Sequence, residues 1–179
     1  MRQPMRSTCL QALRGRDVAA MVSTLDDIKR LTLASELVQA GLRLSIIVAL
    51  TGLTVVPLRR LWREMHGKSP PNGKLPESVL SFITTQSSAG SISTFVALHQ
   101  KSHRSLQHID PAALLSSWKS YNKLCSPPLD INAAYYAVRD VRSGFVSFPR
   151  CTNCGAHFIY DTASTLTNRC PFCGDAPTE

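Results

Sequence analysis

Two Cys-x-x-Cys-Gly segments sit near the end of the chain, Cys151-Thr-Asn-Cys154-Gly155 and Cys170-Pro-Phe-Cys173-Gly174, with fifteen residues between Cys154 and Cys170. A Cys-x-x-Cys turn can aim two thiolates at one ion about 2.3 Å away, and two such turns complete a tetrahedron. The glycine after each second cysteine lets the backbone double back and point amide N–H groups at sulfur. The remaining cysteines, Cys9 and Cys125, stand alone. A secreted disulfide scaffold would spread its cysteines along the fold, so this clustering predicts a metal site in a reducing, cytoplasmic compartment.

The expected occupant of Cys151, Cys154, Cys170 and Cys173 is one structural Zn²⁺ per chain. Four thiolates leave no open coordination position, so the ion would fold a small ribbon-like tail and not catalyse. Iron held as in rubredoxin, or a disulfide switch, would use the same residues. Phe158, Ile159 and Tyr160 are expected as a strand beside the site, with His157 a strand residue and not a ligand.

Ahead of the tail the patterning is helical. With 44% hydrophobic and 18% charged residues among 179, wholesale disorder is excluded. Ser23 and Thr24, with Asp26 and Asp27 three residues on, read as capping boxes with Asp in place of Glu, opening a helix expected to run to about Leu50, since Leu33, Leu37, Ala40, Leu44 and Ile47 recur at helical spacing. Apolar residues also occupy its other sides, which predicts burial by more than one neighbour, possible partner chains included. Thr51-Gly52-Leu53-Thr54 reads as a tight turn, and Val55 to about His66 as a second helix closed by Gly67. Further helices are expected over 91–106, after the Asp110-Pro111 cap, and from Asp130 to Gly144. The fold class is therefore mainly α: a basic leader over 1–22, a helical region over 23–146 with a helix-turn-helix-like pair, and a four-cysteine zinc module over 147–179.

Charge is concentrated at the front. Residues 1–74 carry twelve Lys and Arg against five Asp and Glu, out of a net charge of +8 for the whole chain. Such a field points to a polyanionic partner, nucleic acid before membrane. On the helix after Thr54, Leu58, Leu61, Trp62 and Met65 form an apolar face, while Arg59, Arg60, Arg63 and His66 cluster opposite. A turn followed by a helix with an exposed basic face matches DNA-binding helix-turn-helix proteins, and Arg59, Arg60, Arg63 and Lys68 are the expected DNA contacts. Val55 and Val56 count against base readout from the start of that helix. The uncharged stretch 44–58 is too short to span a membrane, which takes about 20 residues.

Catalytic patterns are missing from the sequence. His99 and His103 are four apart, but Gln100 stands where a zinc protease needs Glu. There is no phosphate-binding glycine loop and no nucleophile elbow, so a non-enzyme is expected. A zinc-stabilised adaptor that makes protein contacts without DNA is the alternative function.

The segment Leu58-Arg59-Arg60-Leu61-Trp62-Arg63-Glu64-Met65-His66-Gly67, the loop Ser69-Pro70-Pro71-Asn72-Gly73-Lys74-Leu75-Pro76 and the four tail cysteines resemble the FlhC family, subunits of the bacterial flagellar master transcriptional activator FlhDC. The resemblance runs from about Asp26 to Gly174. It implies a mostly helical DNA-binding subunit with a four-cysteine zinc site, acting in a hetero-oligomer with an FlhD-like partner. Such a complex binds double-stranded promoter DNA and activates RNA polymerase at flagellar genes. By match to the motif, Cys151, Cys154, Cys170 and Cys173 would be the ligands. Where basic residues also open the family's helix after the turn, this chain has Val55, Val56 and Pro57.

Overall fold

The computed structural model describes residues 24–103 and 108–175. The expected basic leader over 1–22 lies outside the described residues. Among the described residues six α-helices follow one another: α1 (Leu25–Gln39), α2 (Leu44–Thr51), α3 (Val55–His66), α4 (Gln86–Ser102), α5 (Pro111–Leu124) and α6 (Ile131–Ser143), with a 3₁₀ turn at Val79–Phe82 between α3 and α4.

Local chemistry sets most helix ends. Thr24 and Asp27 form the reciprocal capping box that opens α1. Asp110 and Asp130 accept amide hydrogen bonds from Ala112 and Asn132 at the starts of α5 and α6. Gly52, Gly67 and Gly144 end α2, α3 and α6 in the left-handed conformation that glycine adopts without steric cost.

Two boundaries differ from the sequence expectation. The long first helix is two helices, because Gly41 at φ +86° turns the chain after Ala40. The Leu42 N–H donates back to Leu37 O and the Gly41 N–H to Val38 O, a Schellman closure with Leu37 and Leu42 both buried. The helix expected from Ser91 starts earlier, at Gln86. Thr85 and Ser88 make a capping box in which serine replaces the usual Glu. The expected last residues of that helix, 104–106, lie outside the described residues.

A single large core draws on every helix. Leu37, Ile47, Leu58, Phe95, Leu114, Tyr121, Ile131 and Tyr136 are all buried in it. α1 packs on both α2 and α3, while α4, α5 and α6 pack on one another. The 3₁₀ turn is tied to α6 by Asp140, which is 1% exposed. Its carboxylate accepts from the Val79 N–H at 2.6 Å and from Arg139 Nε at 2.7 Å. Arg139 in turn donates to Glu77 O and lies over the Tyr136 ring.

His99 faces α5, its Nδ1 2.9 Å from the Ser117 hydroxyl. Burial first, and the nearby His103 second, hold its imidazole down at about 4. Below pH 6.5 the unfolded chain takes up this proton and the folded chain does not. Stability is therefore expected to fall as pH drops from 6.5 towards 4. His99→Asn, which keeps a polar group for Ser117, should flatten that slope in urea titrations; an unchanged slope would count against it. Asp140→Ala strands a buried amide and should cost about 3 kcal/mol of unfolding free energy, with a loss below about 0.5 kcal/mol contradicting the assignment.

Candidate metal centre and basic ridge

The tail is built as two matching knuckles. Gly155 N–H donates to Cys151 O and Gly174 N–H to Cys170 O, both at 2.9 Å. Each turn is closed by one further bond, from Cys151 N–H to Ala156 O and from Cys170 N–H to Asp175 O. Gly155 and Gly174 take φ of +74° and +85°, so a side chain at either would be strained. Arg150 braces the first knuckle by donating from Nε to Gly155 O at 3.0 Å.

Among the described residues, the four thiols form the cluster able to hold a metal ion, with all sulfurs within 4.8 Å of one another. Cys151 Sγ is 3.5 Å from Cys173 Sγ, and Cys154 Sγ is 3.6 Å from Cys170 Sγ. A tetrahedron with metal–sulfur bonds of about 2.3 Å requires sulfur separations of about 3.8 Å, so the cluster fits an ion of that kind. His157 is not in the cluster; its ring stacks on Phe148. Sequence reasoning expected a strand there, and among the described residues the hairpin is two antiparallel bridges, Ser147 with Tyr160 and Arg150 with His157.

Electrostatics favour a cation. The Cys154 amide, helped by that of Asn153, lowers the Cys151 thiol to about 7 against the cost of burial. Burial raises Cys170. At Cys173 the Asp175 amide pulls downward, but burial and the other three thiols prevail and push it up to about 12. Four sulfurs this close cannot all ionise unless a positive charge sits among them.

α4 carries the tail. Ser93 Oγ accepts from the buried Ile159 N–H at 3.0 Å. The second knuckle rests on Gly90, where an added Cβ would lie 3.6 Å from Phe172 and 3.8 Å from Pro171. Val146 and Ile159 pack into the helical core itself, while Phe158 joins Cys151 and Cys170 in a smaller cluster.

At the other end, Arg59, Arg60, Arg63 and Lys68 are all exposed. Leu58 and Trp62 anchor α3 inward. Two neighbours depart from expectation. Met65 is 44% exposed and leaves the apolar face. His66 leaves the basic face, its Nε2 2.8 Å from Val38 O on α1. A residue that the motif reading passed over is Arg43. Its guanidinium donates to the carbonyls of Pro71, Gly73 and Lys74 in the loop after α3. Partners some thirty residues away, all backbone carbonyls, leave no sequence signal for such a link.

The chain thus joins a helical body, an exposed arginine-rich helix behind a tight turn and a closed four-thiol cluster, and the family match makes its class that of transcriptional regulators. The profile of the flagellar transcriptional activator (FlhC) family matches residues 19–178, and the chain belongs to that family. It is 32% identical over 143 residues to the flagellar transcriptional regulator FlhC of Cupriavidus necator, covering 76% of this chain and 70% of that one. The FlhC of Pectobacterium carotovorum is 31% identical over 143 residues, covering 77% and 74%. That of Verminephrobacter eiseniae is 27% identical over 160 residues, covering 87% and 86%. A transcriptional regulator is not an enzyme class. Among the described residues no helix is long and apolar enough to cross a membrane.

Metal binding to thiols releases protons, so bound metal should be lost progressively as pH falls. Cys154→Ser should abolish stoichiometric metal by elemental analysis and melt the tail. Purified protein that is free of metal, with a tail spectrum unchanged by chelator, would reject the centre.

Proposed function

We propose that the chain is the DNA-binding subunit of a transcriptional activator that switches on flagellar genes. It acts in a hetero-oligomer with an FlhD-like partner, binds double-stranded promoter DNA and engages RNA polymerase. The observation that carries this reading is the exposed row Arg59, Arg60, Arg63 and Lys68 on and after α3, in a chain of an activator family. Guanidinium groups held on a rigid helix suit phosphate oxygens and guanine edges.

In this reading Cys151, Cys154, Cys170 and Cys173 hold one structural Zn²⁺, the borderline-soft ion that suits four thiolates and shows no redox chemistry. Free thiols so close together require a reducing compartment, so the protein works in the cytoplasm. Residues 23–146 carry DNA and partner binding, residues 147–179 the zinc module, and residues 1–22 a basic leader. On α1, Leu25 and Ile28 are exposed apolar side chains and offer contact area to the partner subunit.

Salt dependence tests the reading. Each phosphate contact contributes about 0.9 to the slope of log affinity against log salt. Arg63→Ala in the co-purified complex should weaken promoter binding and lower that slope by about 0.9. An adaptor without DNA contact would show no salt-dependent binding of the fragment at all, and that result would overturn the proposal.

A further inference from the structure

The exposed arginines of α3 are not equivalent. Arg59 and Arg63, one helical turn apart, face the loop that follows the helix. With Ser69, Pro70 and Asn72 they line a concavity of about 340 Å³. Arg60 lies outside it, and among the described residues no carboxylate lines it. Among the described residues the Ser69 and Asn72 side chains have no hydrogen-bond partner, so their donors are unspent. Lys74, by contrast, is paired with Glu77.

The outer wall of this concavity is a loop of Ser, Pro, Pro, Asn and Gly with no secondary structure of its own. Arg43 gives it shape. Nη1 donates to Pro71 O at 2.9 Å, and Nη2 donates to Lys74 O at 3.2 Å and Gly73 O at 3.4 Å. The Arg43 backbone N–H is itself held by Asn132 Oδ1 at 3.0 Å. A planar fork can bridge several carbonyls at once, which the single ammonium of lysine cannot do with the same geometry.

We propose that this concavity seats one phosphodiester of the DNA backbone, gripped by Arg59 and Arg63 with Ser69 and Asn72 as neutral donors, and that Arg43 is the residue that positions its outer wall. The inference rests on the DNA-binding reading above and adds a bounded seat to an otherwise open ridge. Guanidinium pairs with phosphate through charge-assisted, often bidentate hydrogen bonds, and hydroxyl and amide donors complete such contacts. The seat fixes the register of α3 on the duplex and carries no base preference of its own.

The test is fluorescence anisotropy of a labelled promoter duplex with the full chain in complex with its partner, across a salt series. Asn72→Asp puts a carboxylate into the seat without removing a described contact. It should weaken binding about tenfold or more and lower the salt slope by about 0.9. Arg43→Lys keeps the net charge and should produce the same loss of slope; a purely structural defect would reduce the active fraction and leave the slope intact. Thermal melting of each variant separates the two. Wild-type slope and affinity in Asn72→Asp would overturn the seat while leaving the DNA reading standing. Absence of salt-dependent binding in the wild type would instead remove the DNA reading itself. Saturable protection of the fold by inorganic phosphate at constant ionic strength, with DNA binding unaffected by Asn72→Asp, would reassign the concavity to a free anion and overturn the proposal.

Discussion

The corner at Gly41-Leu42-Arg43 governs the basic end of the molecule. Gly41 stops α1 by a Schellman closure, and the chain leaves it in the direction that starts α2. Asn132 on α6 grips the corner from behind, donating to Gly41 O and accepting from the Arg43 N–H. The Arg43 side chain then reaches forward to the loop after α3. Three separate pieces of chain thus meet at one corner: the end of α1, the start of α6 and the proline loop. Leu58 and Trp62 already seat α3 in the core, and the corner adds the tie that links the loop beside it to the same frame. With it, the exposed arginines are carried on a frame that is hydrogen-bonded on both sides.

A different kind of constraint acts at the tail. Beyond Val146 the described chain has turns and two isolated bridges in place of a helix or sheet. Its shape comes from two sources. One is the cluster of four sulfurs, close enough that all four can ionise together only around a cation. The other is docking on α4, through Ser93 to the Ile159 amide and through the flat surface left by Gly90. Because Val146 and Ile159 enter the same core as the helices, folding of the tail and packing of α4 are mechanically linked.

Much of the candidate site was legible because its signals are short. The cysteine spacing gives the cluster, and Thr24, Asp110, Asp130, Gly52, Gly67 and Gly144 mark helix ends within four residues of themselves. The break in the first helix is hidden in the sequence because apolar residues keep helical spacing straight through it. The usable signal was Gly41 followed by the apolar Leu42, the two positions of a Schellman end. The early start of α4 is hidden because Ser88 takes the role usually played by Glu. Position on the helix groups His66 with the arginines, yet it spends its ring nitrogen on Val38 of α1.

Sequence alone determined the helical character, the thiol cluster and the basic helix after a tight turn, because periodicity, caps and ligand spacing act over a few residues. Tertiary structure decided the rest: that Arg59 and Arg63 share a walled concavity while Arg60 does not, that Arg43 shapes that wall, and that the tail rides on α4. The physical reason is that these links join a side chain to backbone carbonyls or amides far along the chain. Every residue presents such groups, so no residue type at the distant position announces the bond.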